Sequence, residues 1–237
     1  MTDYLFVPAH WVGQEGILTL LGQHIAYSGA SLLLALAIGL PIGIRVGQTG
    51  RGTAVIAGVA NSLRALPSLG LLVLLVVLLS PAFASDLAFL VPSLIVLIVL
   101  AVPPVMTGAY AGIAAVDPAV VDAARGMGMT DRAILFGVQL PCALPLILSG
   151  VRGGVLQIVS TATIAASVSL GGLGRLIIDG LAANDYGQMV AGAVMVALLV
   201  VVLDLLFVLL GRFVVSPGLT RAVRARRPIP SPAAISG

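Results

Sequence analysis

Long apolar runs, broken by short polar stretches, organise this chain. There are five, at roughly residues 20–44, 54–79, 87–109, 144–170 and 189–212. A helix needs about 20 apolar residues to cross a bilayer, and each run is long enough for one crossing. Strands of a membrane barrel would alternate polar and apolar residues in segments of about ten, and these runs do not alternate. Only helices and closed barrels satisfy the backbone within lipid. The expected fold is therefore all-α: a polytopic membrane protein of about five transmembrane helices.

The polar stretch at 110–143, between the third and fourth runs, is too long for a simple connection and has its own pattern. Asp117-Pro118 reads as a helix start, with Asp at the N-cap and Pro at the first helical position. The helix runs through Arg125 and breaks at Gly126 and Gly128. Thr130 caps a second helix, with Asp131 at its positive end, leading towards Leu140-Pro141. Val120, Val121, Ile134 and Leu135 need a surface to pack on. The expectation is a short helix, a glycine turn and a second short helix.

Composition agrees with a membrane body. Of 237 residues, 59% are hydrophobic and 9% charged, against about 25% charged in a soluble domain. The twelve basic residues are all arginine, and they set an orientation. Arg45 and Arg51 follow the first run, Arg125 and Arg132 lie in the 110–143 loop, and Arg212, Arg221, Arg224, Arg226 and Arg227 follow the last. The other side has Arg175 with Asp86, Asp179 and Asp185 nearby. The positive-inside rule puts the N-terminus out and the C-terminus in. The arginine-rich tail is read as a topology signal, and no nucleic-acid partner is expected. Cys142 is the only cysteine, so no internal disulfide or cysteine metal site is expected. Without lysine no Walker A motif can be written. His10 and His24 are far apart in sequence, and no zinc-protease motif is present. An intramembrane enzyme and a membrane scaffold are the rival classes. No cofactor or metal is expected.

Asp122-Ala123-Ala124, Gly128 four residues after Ala124, and Leu140-Pro141 resemble the coupling signature of type I ABC importer permeases. Two positions depart from it: Asp122 stands where that family has Glu, and Val138 where it has Ile. Arg64-Ala65-Leu66-Pro67-Ser68-Leu69, Arg125 to Thr130, and Gly171-Gly172-Leu173-Gly174 resemble the osmoprotectant branch, whose solutes include glycine betaine, carnitine and choline. A permease for an amino acid such as methionine is the alternative. The resemblance covers about residues 20–212. It implies cytosolic ABC ATPase subunits, a second permease chain, identical or homologous, and an extracytoplasmic substrate-binding protein. It also implies that Asp122, Ala123, Ala124, Arg125, Gly128, Leu140 and Pro141 couple to the ATPase, and that the protein lies in the cytoplasmic membrane of a prokaryote.

Three organisational expectations complete the reading. Residues 1–19 form an extracytoplasmic segment with Trp11 as an interfacial anchor, 20–212 the permease domain, and 213–237 a basic and disordered cytoplasmic tail. On span four, Ser149/Gly153 and Gly150/Gly154 suit close helix packing, and Ser160, Thr161, Thr163, Ser167 and Ser169 form a polar stripe that lines the pathway. Arg64, Arg152 and Asp204 are intramembrane charges. Arg152 and Asp204 fall at equal depth and are expected to pair, with Arg64 as the competing partner.

Overall fold

A computed structural model describes residues 3–214, apart from the side chains of Asp3 and Arg64. Two 3-10 turns, Asp3–Phe6 and Pro8–His10, precede the first long helix. The helices that follow are α1 (Ile17–Thr49), α2 (Thr53–Ala65), α3 (Ser68–Leu79), α4 (Leu87–Ala114), α5 (Pro118–Gly126), α6 (Asp131–Ile134), α7 (Leu140–Ala165), α8 (Gly174–Ala183) and α9 (Tyr186–Val214). A π-turn, Leu135–Gln139, joins α6 to α7. Among the described residues, four helical stretches are long and apolar enough to cross a membrane: α1, α4, the run Asp131–Val168, and α9.

The second expected span is where the structure departs most from the sequence reading. It is two helices, α2 and α3, bent by 89°. The cause is Pro67. The ring disfavours helical geometry in the residue before it, and Leu66 is extended at φ −73°, ψ 132°. Pro67 then precedes α3 without donating a backbone hydrogen bond. At 13 and 12 residues, each piece covers only about 20 Å at 1.5 Å per residue.

Two boundaries also move. The second short helix expected in the 110–143 segment is continuous with span four through the π-turn. Pro141 explains that turn, because it has no N–H to give the carbonyl four residues back. Span four ends as an α-helix at Ala165, followed by a 3-10 turn at Ala166–Val168, so Ser167 and Ser169 leave the helical stripe.

α4 is the central helix, packed between α1 and α7. Within lipid, apolar surface alone does not drive helices together. Close packing does, and small residues permit it. Gly39, Gly43 and Gly47 of α1 lie against Val105, Met106 and Ile113 of α4. On the other side a Cβ at Gly108 would sit 2.6 Å from the Cα of Gly150. Gly150 and Gly154 thus make the close approach the sequence pattern suggested. Ser149 is exposed, and Gly153 meets only a Pro104 ring carbon at 3.6 Å.

Three apolar clusters hold the helices together. One lies between α1, α3, α4 and α7, around Leu72, Leu97 and Ile158. A second joins Ile17 and Leu20 to Leu173, Leu176 and Met195, with Trp11 packed against it. Trp11 also donates from Nε1 to the Leu5 carbonyl at 2.8 Å, so it fastens the N-terminal segment as well as being half-exposed. The third cluster, Ala109, Ile113, Ala143 and Ile147, lies at the end of the bundle that carries α5 and α6.

Candidate functional site

The segment from Asp117 to Pro141 folds as a compact module at the end of the bundle that carries Arg45. Asp117 is the N-cap of α5, and its Oδ1 accepts from the Ala119 N–H at 2.9 Å. Thr130 caps α6, accepting from the Ala133 N–H at 3.3 Å. Between them the chain closes a Schellman turn. The Gly128 N–H donates to the Arg125 carbonyl at 2.9 Å, and the Met129 N–H to Ala124 at 3.2 Å. Gly128 stands at φ +83°, a left-handed conformation that costs any side-chain-bearing residue free energy.

The signature residues divide by exposure. Ala124 is buried and seats the module, whereas Asp122, Ala123, Arg125 and Gly128 are exposed. Leu140 is half-buried and Pro141 exposed, one turn above. Arg125 reaches both Asp122 (3.6 Å) and Asp131 (3.7 Å), tying the two sides of the turn. Such exposed pairs contribute at most about 1 kcal/mol, so the backbone turn, not the ions, fixes the shape. Gln48 of α1 donates to Gln139 Oε1 at 3.0 Å. A polar cavity of about 260 Å³ lies beneath, lined by Arg45, Gln48, Arg125 and Asp131. Of the four apolar residues expected to pack, Ile134 is buried, Val121 and Leu135 are half-buried, and Val120 is exposed. With Met127 (76% exposed) and Phe136 (67%), the latter near the start of the Asp131–Val168 run, Val120 gives this end of the molecule an exposed apolar surface.

The expected polar stripe of α7 is not one surface. Thr161 is buried, and Gln157 Nε2 donates to its hydroxyl at 3.2 Å. Thr163 donates to the Val159 carbonyl of its own helix at 2.9 Å. Ser160 and Ser167 are exposed, the latter on the 3-10 turn. The polar cavity in the membrane body lies elsewhere. It has a volume of about 340 Å³, and Leu66, Ser68, Pro103, Pro104, Gly153 and Gln157 are among its lining residues. It sits where α2 breaks from α3, a place where backbone polar groups are freed inside a membrane. Gln157 was missed in the sequence. Its signal is the spacing Gly153, Gln157, Ser160, one face of a helix.

Arg152 and Asp204 meet across α7 and α9. Arg152 Nη2 lies 2.5 Å and Nε 2.6 Å from Asp204 Oδ1. Arg64, the competing partner, has its side chain outside the described residues. Near the other end of α7, Gly172 at φ +94° donates its N–H to Gln23 Oε1 of α1 at 3.1 Å. The glycine run 171–174 thus lets α1 approach the loop into α8. On α8 Arg175 pairs with Asp179 at 2.6 Å.

Residues 35–216 match the family of binding-protein-dependent transport system inner membrane components. The chain belongs to that family. This permease is 29% identical over 199 residues to the choline transport system permease protein OpuBB of Bacillus subtilis (strain 168), covering 84% of this chain and 88% of that one. It is 32% identical over 182 residues to the glycine betaine/proline betaine transport system permease protein ProW of Escherichia coli (strain K12). That match takes in 77% of this permease and 49%, about half, of the relative. Among solved structures, an inward-facing MetNI methionine ABC transporter matches with TM-score 0.71 and 22% identity, over 84% of this permease and 96% of that chain. The likeness establishes the fold. The permease is thus a transport subunit, the inner-membrane component of an ABC importer that works with a substrate-binding protein and ATPase subunits.

Proposed function

We propose that this permease carries quaternary-ammonium osmoprotectants, of the glycine betaine, carnitine and choline class, into the cell. The observation that carries the reading is its similarity, over 77–84% of its length, to permeases named for choline and glycine betaine transport. Residues 20–212 form the permease body, 1–19 an extracytoplasmic segment, and 213–237 a cytoplasmic tail that lies largely outside the described residues. The N-terminus is out and the C-terminus in, by the arginine distribution. Asp122, Ala123, Ala124, Arg125, Gly128, Leu140 and Pro141 form the coupling element, and the exposed Val120, Met127 and Phe136 dock in the ATPase. The cavity at the α2–α3 break is half of a passage. A second permease chain, identical or homologous, completes it, with Ser160, Thr161, Thr163 and Ser167 along the helix that leads outward from Gln157.

Among the described residues, no aromatic ring lines the polar cavity. Rings hold quaternary ammonium ions through cation–π attraction, so the passage binds such solutes weakly, and selectivity resides in the binding protein. The test is uptake of labelled glycine betaine, choline and methionine by cells carrying the complete system or lacking this permease. Loss of betaine or choline uptake on deletion is expected. Loss of methionine uptake alone would overturn the assignment.

A further inference from the structure

The polar cavity at the α2–α3 break owes little of its polarity to side chains. Six of the eight residues that line it are Leu, Pro or Gly, and Ser68 and Gln157 are the rest. Two of the leucines stand four residues before a proline. In a helix the carbonyl of residue i accepts from the N–H of residue i+4, or of i+3 in a tighter turn, and proline has no N–H. Leu63 loses its α-helical donor to Pro67. Leu100 loses both donors, because Pro103 and Pro104 occupy the two positions. Among the described residues no backbone N–H from another element reaches either carbonyl. A carbonyl without a donor at membrane depth is tolerated where it lines a cavity, and both of these residues do.

The packing of α7 on α4 brings a third acceptor to the same level. Leu100 is at the middle of α4. α7 runs antiparallel to it: a Cβ at Gly150 would meet the Pro104 carbonyl at 2.7 Å, and one at Gly154 the Ala101 carbonyl at 3.4 Å. Gln157, three residues beyond Gly154, therefore comes level with the turn that holds Leu100. Its Nε2 donates to the Thr161 hydroxyl, which engages the donor end of the amide and leaves Oε1 for the cavity. Among the described residues, none that lines the cavity carries a charge. The cavity thus gathers neutral oxygen acceptors: two backbone carbonyls, the Gln157 amide and the Ser68 hydroxyl.

We propose that this acceptor set is the charge-selecting point of the passage, and that Gln157 determines specificity there. The inference rests on the osmoprotectant reading, which gives every candidate solute the same trimethylammonium head. Carbonyl dipoles attract such a head without neutralising it. The head has no N–H to donate. Its charge lies over polarised methyl groups, whose C–H···O contacts are each weak. Oxygen acceptors therefore hold it briefly, without the aromatic rings that would retain it, and turn back an anionic head.

The permease assembled with its ATPase subunits in lipid nanodiscs, without the binding protein, is titrated by saturation-transfer NMR. The probes are two isosteric pairs, choline with uncharged 3,3-dimethylbutanol and glycine betaine with 3,3-dimethylbutyrate. Within each pair a carbon replaces the ammonium nitrogen. The ammonium member should bind at least about fivefold more tightly, the worth of two or three weak contacts. Gln157→Leu should cut that preference about threefold, and Gln157→Lys should abolish it. In cells, Gln157→Lys should lower choline uptake at least about tenfold more than betaine uptake, since choline has no carboxylate to offset the added charge. Equal binding within both pairs overturns the proposal. So does a preference for the dimethylbutyrate anion, which would give the cavity to the N–H groups that open α3, or a preference unchanged in Gln157→Leu. If Gln157→Lys fails to insert, Gln157→Leu, which makes the span more apolar, still decides. Wild-type cells that take up neither choline nor betaine would overturn the assigned cargo, while the paired probes still read the cavity.

Discussion

Arg152 and Asp204 are a pair set in a membrane body, and their value is mostly the cost of separating them. Their side chains are 41% and 32% exposed, on two helical runs that are long and apolar enough to cross a membrane. A lone charge near a helix centre costs about 3 kcal/mol on insertion scales. Removing one partner leaves that charge behind, and removing both does not. Asp204→Asn and Arg152→Gln should each lower membrane abundance several-fold. The double variant should recover most of it, as quantified on blots of membrane fractions. Additive losses would mean that the ion pair does not hold α7 to α9. The pair was legible from equal depth and opposite sign. The role of Gln157 was not, because a single amide in an apolar run carries no partner in the sequence. Only the break at Pro67 places Ser68 and the α4 prolines around it.

Among elements, the Asp117–Pro141 module shows local chemistry deciding local structure. Asp117-Pro118, the glycines and Thr130 are short-range signals, and both expected caps form. The second span shows the opposite. Its apolar composition continues through Pro67, so hydropathy reads one crossing, while the backbone restriction at Leu66-Pro67 makes two helices. The π-turn before Pro141 was hidden for the same reason: it is a defect in a helix whose composition is unbroken. α8 is a further omission, ten residues read only as an outer connection. The Schellman turn gives the module a graded test. Gly128 is left-handed and a Cβ there meets nothing within 4 Å, so substitution is opposed by backbone strain of about 1–2 kcal/mol. Asn tolerates this conformation better than Ala, and Ala better than a β-branched residue. Gly128→Asn, Gly128→Ala and Gly128→Val should lose solute uptake and co-purified ATPase in that order. Membrane abundance should stay near wild type, since the turn lies outside the spans. Equal uptake across the series would remove Gly128 from the coupling element.

For the whole molecule, the arginine distribution and the proposed coupling module must agree on one orientation. Arg45, Arg125 and Arg132 lie at the same end as α5 and α6, where Val120, Met127 and Phe136 are exposed and where ATPase docking is proposed. The chain carries its own probe. Cys142 is the only cysteine, it is exposed, and it follows Pro141 of the signature. A membrane-impermeant maleimide should label it in inside-out vesicles and not in right-side-out ones. Restoring the ATPase to stripped vesicles should slow the reaction, because the docking surface adjoins it. In a Cys142→Ser background, Ala183→Cys at the exposed end of α8 should react with the reverse sidedness. That second label separates an inverted chain from a leaky vesicle. Inversion exchanges the two patterns, whereas leakage labels both cysteines from both sides. Exchange would put the module in the wrong compartment for an ATPase, and with it the direction of coupling would fail.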